Sequence, residues 1–495
     1  MSAAEFQLAE TTVADIHAAF RSGALSARRL VELYLARIEA YDQQGPAINA
    51  VISINPAALA EADRLDALLR SSGPAGALHG IPVIVKDQAD VKGMATTLGS
   101  VLFKDFHPDR DCFVVERLKQ AGAIILAKAT LGELGAGDTH GSLFGSTKNP
   151  YDLERTPGGS SGGPAAAVAA NFATLAVGQE GLASIRRPAA WNCLVGMRAT
   201  AGLVSRSGVY GGWPAIAGSL GPLTRSVADC ALLLDAMSGY DPEDPLTAAG
   251  VGHQAESYTR FLDRDGLTGA RIGILREPMG LFSEPDSDDF REITRVFDGS
   301  VEELRAAGAV MIDPVVIPQL KELLATRAGS FVDADEQFQV YMARNASPPF
   351  KTRDEAARSP DFSRVGQSAR KRWHSRPDAD AHYAFLRARE TLMFNFLKVM
   401  ADQRLDAIAH KAAEHSPTLI RDGVNPPFVD QKGAPHINTF LVFVPSIVVP
   451  AGFTREGLPT GLCLLGRPYE DGAMIRYAYA YEQATRHRRP PPHTP

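Results

Sequence analysis

The chain has 495 residues, 45% of them hydrophobic and 22% charged, with a formal net charge of −6. This is a globular composition and excludes wholesale disorder. The slightly acidic balance offers no global basic field for nucleic acid or an anionic membrane, so neither is expected as a partner.

Residues 1–10 are polar and acidic and lack the basic and apolar regions of a signal peptide. Thr12 and Asp15 have capping-box spacing, and Val13, Ile16 and Phe20 share one face of a helix that Gly23 stops. Ser26 caps a second helix whose stripe is Leu30, Leu33, Tyr34, Ile38 and Tyr41. Residues 1–70 are therefore expected to be N-terminal packing helices.

The pattern changes near residue 80. Residues 81–85 are a short apolar run, β-branched apart from Pro82, that predicts a buried strand ending at Lys86. A helix over 113–120 and a strand over 123–127 follow, which is the alternation of an α/β sheet. Further strands are predicted at 174–177, 272–275, 405–409 and 446–449. Between about 280 and 404 the chain turns helical and charged, with one long helix over 380–400 carrying apolar Tyr383, Leu386, Phe394 and Leu397.

At roughly 150 residues per domain, length alone suggests about three domains. No internal repeat or Pro/Gly linker divides the chain, however, and its strands begin near 80 and end near 465. A single α/β domain over 1–495, whose ends meet in one sheet, accounts for this better. The apolar run 441–453 is interrupted by Pro445 and Pro450 and is too short to span a bilayer. Cys112, Cys193, Cys230 and Cys463 lie far apart, so a disulfide framework or zinc site is not expected and a reducing, cytoplasmic setting fits. The basic cluster Arg486, His487, Arg488 and Arg489 precedes Pro490–Pro492, and residues 486–495 are expected to be a solvated tail.

The densest signal is Gly158-Gly159-Ser160-Ser161-Gly162-Gly163-Pro164, leading into an alanine-rich helix. A phosphate-binding loop is a poor reading, because no Gly-Lys-Ser/Thr follows. The segment Gly158 to Gly162 matches G-x-S-x-G, but a nucleophile elbow needs a buried strand before it, and residues 151–157 are polar and end on Pro157. The remaining reading is a loop that sets one serine beside a second reactive serine. Downstream, small residues precede Ser184, so that several backbone N–H groups could converge on one spot as in an oxyanion hole. Lys86 at the end of a buried strand would be desolvated, which lowers a lysine pKa and makes it a usable base for a serine.

These residues resemble the amidase signature family. The resemblance rests on His79-Gly80-Ile81-Pro82-Val83-Ile84-Val85-Lys86-Asp87, on the Gly158 to Gly163 loop, and on Ser184-Ile185-Arg186-Arg187-Pro188-Ala189. Val195 to Thr200, Gly221-Pro222-Leu223, and the C-terminal runs Pro445 to Phe453 and Leu464 to Pro468 add to it. It covers most of 75–240, the expected catalytic core, and 440–485. Residues 280–430 match poorly and are expected to form a variable helical cap shaping the pocket.

The resemblance implies a single large α/β/α domain with a mixed, twisted central sheet, and a Ser–cis-Ser–Lys hydrolase without cofactor. Ser184 is then the nucleophile, Ser160 the bridging serine and Lys86 the base. Gly181, Leu182, Ala183 and Ser184 supply the oxyanion hole, and the product is formed through an acyl-enzyme. Arg186 is expected to pair with Glu180 and brace the loop. Ser161 is expected to bond the lysine or to cap the helix at Pro164. The chain departs from the family's Asp-Thr-Gly-Gly-Ser: Glu180 stands for the aspartate, and Leu182 and Ala183 replace two glycines. A backbone needing positive φ would be strained there by roughly 1–2 kcal/mol. Leu182 could then protrude into the acyl pocket, with Trp191 and Trp213 either lining it or filling the core.

The scattered histidines, His410 and His415 included, make no metal site. The expected substrate is a small molecule: a carboxamide, anilide, carbamate (urethane) or urea. A homodimer is an allowed assembly. The alternative is a glutamine-hydrolysing, ammonia-donating component of an amidotransferase complex, which would need a partner. The divergent cap and the Leu182-Ala183 pair favour a free-standing enzyme.

Overall fold

Short apolar runs, buried on both faces, build the centre of the molecule. The computed structural model describes residues 6–327, 334–376 and 378–495. Its strands in chain order are β1 Val51–Ile54, β2 Pro82–Lys86, β3 Ile124–Ala129, β4 His140–Gly141, β5 Gly145–Ser146, β6 Leu175–Glu180, β7 Val195–Arg198, β8 Ser219–Thr224, β9 Arg271–Leu275, β10 Val310–Val315, β11 Ala407–Lys411, β12 Ser446–Phe453 and β13 Pro459–Leu465. All but the β4–β5 hairpin join one 11-stranded sheet, ordered β1-β3-β2-β6-β8-β7-β12-β13-β11-β9-β10. β2 runs parallel to β3 and β6, and β9 runs parallel to β10 and β11. The remaining neighbours are antiparallel, so the sheet is mixed. The C-terminal strands β12 and β13 lie at its middle, which is why sequence-distant segments share one core.

The N-terminal signals act as their chemistry dictates. Thr12 and Asp15 form a reciprocal capping box on helix Val13–Ser22, and Gly23 ends it at φ 74°. Ser26 caps helix Ala27–Ile38 through the Arg29 N–H. Tyr41, placed on that stripe by its spacing, sits instead on a π-helical turn, Glu39–Gln43.

The helical stretch departs further. Helix Ala379–Asp402 is present, but it buries Phe385, Ala388, Leu392, Phe396, Val399 and Met400. Tyr383, Leu386 and Phe394 face outward. Several apolar residues allow two stripes on this helix, and the packing partner decides between them. The stretch 280–430 also holds β10, β11 and helix Asp288–Ala306, which pack into the sheet layer. The helices that cover the site lie between 320 and 375. They carry a separate apolar cluster, including Phe338, Tyr341, Phe362 and Trp373, that docks on Leu98, Phe103 and Leu134.

The C-terminal basic cluster is not a solvated tail. Arg488 meets both Glu10 carboxylate oxygens, at 2.9 and 2.8 Å, and donates to Tyr151 Oη at 2.8 Å and the Ala169 carbonyl at 3.0 Å. His487 pairs with Glu303, and the Arg489 guanidinium lies over Phe453. A guanidinium has five donors, and these carbonyl and carboxylate acceptors hold it in place. Charge density in the sequence suggested solvent, but the acceptors come from parts of the chain hundreds of residues away. Arg488→Ala strands the Glu10 carboxylate, and global stability is expected to fall by about 3 kcal/mol in denaturant unfolding. A loss under about 0.5 kcal/mol would show the segment to be dispensable.

Candidate active site

β2 and β6 are adjacent and parallel, so their C-terminal ends open at the same edge of the sheet. Lys86 is the last residue of β2. The loop after β6 carries Ser184, and the glycine-rich loop before helix Gly162–Ala169 carries Ser160. That helix is buried on every side, and its small residues let the loop sit against its neighbours. A Cβ at Gly163 would lie 2.2 Å from the Thr130 carbonyl oxygen, and one at Gly159 would lie 2.1 Å from the Gly137 oxygen. Glycine is required at both for close approach. The Gly159–Ser160 peptide bond is cis.

The three residues form one hydrogen-bonded chain. Lys86 Nζ is 2.8 Å from Ser160 Oγ, and Ser160 Oγ is 3.0 Å from Ser184 Oγ. Lys86 and Ser160 are buried, whereas Ser184 is 8% exposed and lines a cavity of about 230 Å³. Lys86 also reaches the Gln179 carbonyl at 3.2 Å. Burial drives the Lys86 amine well below the ordinary lysine value, and Glu180 opposes this only in part. A second buried lysine shows what is special here. Lys128 lies 2.9 Å from the Asp87 carboxylate, both fully buried, so its charge has a partner. Lys86 has a serine in that place.

Glu180 organises the loop that presents Ser184. Its Oε2 accepts the N–H groups of Ile185 (2.9 Å) and Arg186 (3.0 Å), and its Oε1 accepts Arg186 Nε at 2.7 Å. Arg186 in turn donates to the Leu182 and Pro435 carbonyls. The N–H groups of Gly181, Leu182, Ala183 and Ser184 have no acceptor among the described residues. None of these four residues adopts positive φ, so Leu182 and Ala183 sit there without left-handed strain. Leu182 lines the cavity and packs with Ala183, Ala434 and Leu281.

Several sequence expectations need correction. Ser161 neither bonds Lys86 nor caps the helix. Its Oγ donates to the Gln179 carbonyl at 3.1 Å and accepts the Gln179 N–H at 3.2 Å, fastening the loop to β6. Trp191 is outside the cavity lining. It is buried behind the glycine loop, its Nε1 donating to the His415 carbonyl and its ring against Gly158 and the Arg187 guanidinium. Trp213 is half-buried and also outside the lining. The aromatic lining comes from Tyr210, Phe338 and Trp373. Phe338 and Trp373 belong to the poorly matching cap, where no motif marks them. Arg187 with Asp138, tying the Ser184 loop to residues before the glycine loop, was also not anticipated. Among the described residues no cluster of His, Cys, Asp or Glu suits a metal ion, all four cysteines are free and buried, and no helix is long and apolar enough to cross a membrane.

A mixed sheet with a serine–serine–lysine chain at one edge defines a class of hydrolase, and comparison with known proteins agrees. Residues 29–475 match the amidase family. A glutamyl-tRNA(Gln) amidotransferase subunit from Geobacter metallireducens is 34% identical over 97% of this chain and 98% of its own. Among solved structures, the native peptide amidase of Stenotrophomonas maltophilia superposes with TM-score 0.86 and 34% identity, covering 98% of each chain. The corresponding glutamyl-tRNA(Gln) amidotransferase subunit from Thermotoga maritima gives TM-score 0.72 and 27% identity over 97% of this chain and 95% of its own. The chain belongs to the amidase signature family and is a hydrolase acting on the carbon–nitrogen bonds of amides.

The Glu180 network gives a prediction independent of chemistry. Glu180→Ala leaves Arg186 and Arg198, both fully buried, without their shared carboxylate. Such a loss costs about 3–5 kcal/mol. Thermal unfolding is expected to show a drop of that order, and an unchanged midpoint would remove Glu180 from this role.

Proposed function

We propose that this protein is a free-standing amidohydrolase that cleaves an amide, anilide or carbamate through an acyl-enzyme on Ser184. The observation that carries the proposal is the Lys86–Ser160–Ser184 chain ending at a cavity. Neutral Lys86 takes a proton from Ser160 as Ser160 takes one from Ser184. Ser184 Oγ bonds to the carbonyl carbon, and the carbonyl oxygen becomes an oxyanion facing the unengaged N–H groups of 181–184. The intermediate collapses, the carbon–nitrogen bond breaks, and the departing nitrogen receives the proton back from Lys86 through Ser160. Water then attacks the acyl ester, loses its proton along the same relay, and releases the acid with Ser184 restored.

Two features support a free-standing enzyme over an ammonia-donating component of a complex. The likeness to the peptide amidase structure is closer than that to the Thermotoga amidotransferase structure, and the cap brings Phe338 and Trp373 to the cavity. The purified chain is expected to turn over hydrophobic amides or anilides and to leave glutamine largely intact. Strong glutaminase activity with no anilide turnover would reverse this.

Ser184→Ala is expected to abolish turnover and labelling by a fluorophosphonate. Retained labelling at another residue would refute the nucleophile assignment. Lys86 allows a sharper test. Its folded pKa lies below the unfolded value of about 10.4, so between the two the unfolded chain holds one more proton. Stability of the wild type therefore rises with pH across that window. Lys86→Met removes the base and this slope together. The variant should be inactive at neutral pH yet more stable than wild type, by a margin that shrinks as pH rises toward that value. A variant less stable at pH 7 than wild type would contradict the neutral-lysine reading.

A further inference from the structure

The Ser184 cavity has a charge that cleavage of a plain amide does not use. Three cap arginines reach it: Arg327, just beyond helix Leu320–Ala325, Arg353 in helix Arg353–Ala357, and Arg372 in helix Gln367–His374. Arg353 is engaged, with Nη1 3.0 Å from Asp335 Oδ1, a further bond to the Trp373 carbonyl, and its guanidinium over the Trp373 ring. Arg327 and Arg372 make no ion pair among the described residues. Burial pushes Arg327 down to about 10, and Arg372 nearby adds to the push. Arg372 is lowered by burial too, with Asp430 and Tyr210 offsetting only part of it. Both stay charged at neutral pH.

Two half-buried guanidinium groups within electrostatic reach repel each other unless an anion joins them. The acid in the lining, Glu133, is already committed: Ser142 donates to Oε1, and the Gly366 N–H donates to Oε2 at 2.8 Å. Arginine suits a carboxylate because its planar donors match the two oxygens.

We propose that the substrate carries a carboxylate remote from its scissile bond, and that Arg327 and Arg372 receive it while Tyr210, Phe338 and Trp373 cover the carbon frame between. This rests on Ser184 as the nucleophile. It also discriminates among acids. An α-amino acid such as glutamine brings an ammonium as well, which would lie near the same guanidinium groups with no free carboxylate in the lining to receive it. A monoamide of a dicarboxylic acid, or an anilide bearing a benzoate, meets the site without that penalty.

The test compares butyryl anilide with two charged relatives, glutaryl anilide (acid on the acyl side) and para-(butyrylamino)benzoate (acid on the leaving side). At least one charged member should show kcat/KM higher than butyryl anilide by about ten- to a hundredfold, mainly through KM, the range of a charge-assisted pair. Arg327→Gln and Arg372→Gln should each lower that charged-to-neutral ratio by about tenfold. Equal kcat/KM for all three substrates would overturn the proposal, as would ratios unmoved by both substitutions. Ser184→Ala protein titrated calorimetrically with the same three compounds separates this proposal from the functional one and serves if the arginine variants do not fold. Tighter binding of a charged member supports the arginine pair even if no anilide is hydrolysed by the wild type. Equal affinities refute it whatever the turnover.

Discussion

The arrangement depends on one constraint: a lysine amine is held in a dry interior with a serine hydroxyl where a carboxylate would ordinarily be. An ammonium there is costly, and burial drives the amine well below the ordinary lysine value although Glu180 opposes this in part. The protein contains its own control. Lys128, on the strand next to Lys86, has Asp87 at 2.9 Å. The carboxylate of Asp87, one residue beyond Lys86, is thus spent on the neighbouring lysine. Sequence adjacency of a lysine and an aspartate says nothing about their pairing, and here the strand's alternation sends them to different partners.

Everything nearby serves to hold the second and third members of the chain at hydrogen-bond distance from that amine. The glycine loop is pressed between Thr130, Asp138 and Trp191 so closely that side chains would not fit at Gly159 or Gly163. Ser161 fastens it to β6, and Arg187 reaches from the Ser184 loop to both Asp138 and the Gly159 carbonyl. Glu180 fixes the start of the next helix. Its carboxylate engages the N–H groups of Ile185 and Arg186, and the four N–H groups before them have no acceptor among the described residues. A longer acid than the family's aspartate still closes this network. The Leu182-Ala183 pair is accommodated without left-handed backbone, its side chains resting on Ala434 and Leu281.

Legibility in the sequence followed how local the determining physics is. The capping box at Thr12, the stop at Gly23 and the helix Phe113–Gln120 depend on neighbours within a turn, and they were readable. Six strands of the sheet, β2, β3, β6, β9, β11 and β12, were readable as short apolar runs, whereas β1, β7, β8, β10 and β13 were not. The glycine loop, Lys86 and Ser184 were recognisable because their order and spacing are unusual, and the structure brings them together. What failed depended on distant partners. Arg488 is surrounded by charges in sequence but by Glu10, Tyr151 and Ala169 in space. Trp191 follows Ser184 closely, yet the turn of its helix carries the ring behind the loop. On the long cap helix, Tyr383, Leu386 and Phe394 are as apolar as the residues that are buried, and only the partner surface breaks the tie.

Sheet and cap contribute different parts of the site. The Lys86–Ser160–Ser184 chain comes from the end of β2, the glycine loop and the loop after β6, at one edge of the sheet. Residues that shape the cavity away from Ser184 come largely from cap helices with their own apolar cluster, docked on Leu98, Phe103 and Leu134. Phe338 and Trp373 belong both to that cluster and to the cavity lining, so the packing of the cap and the shape of the cavity are set together. Arg327 and Arg372 line the same cavity. Among the described residues they make no ion pair, and a half-buried charge without a partner is a net cost to the folded state. On the reading proposed above, two such guanidinium groups in the cavity that Ser184 lines are the mark of a site shaped to receive an anion.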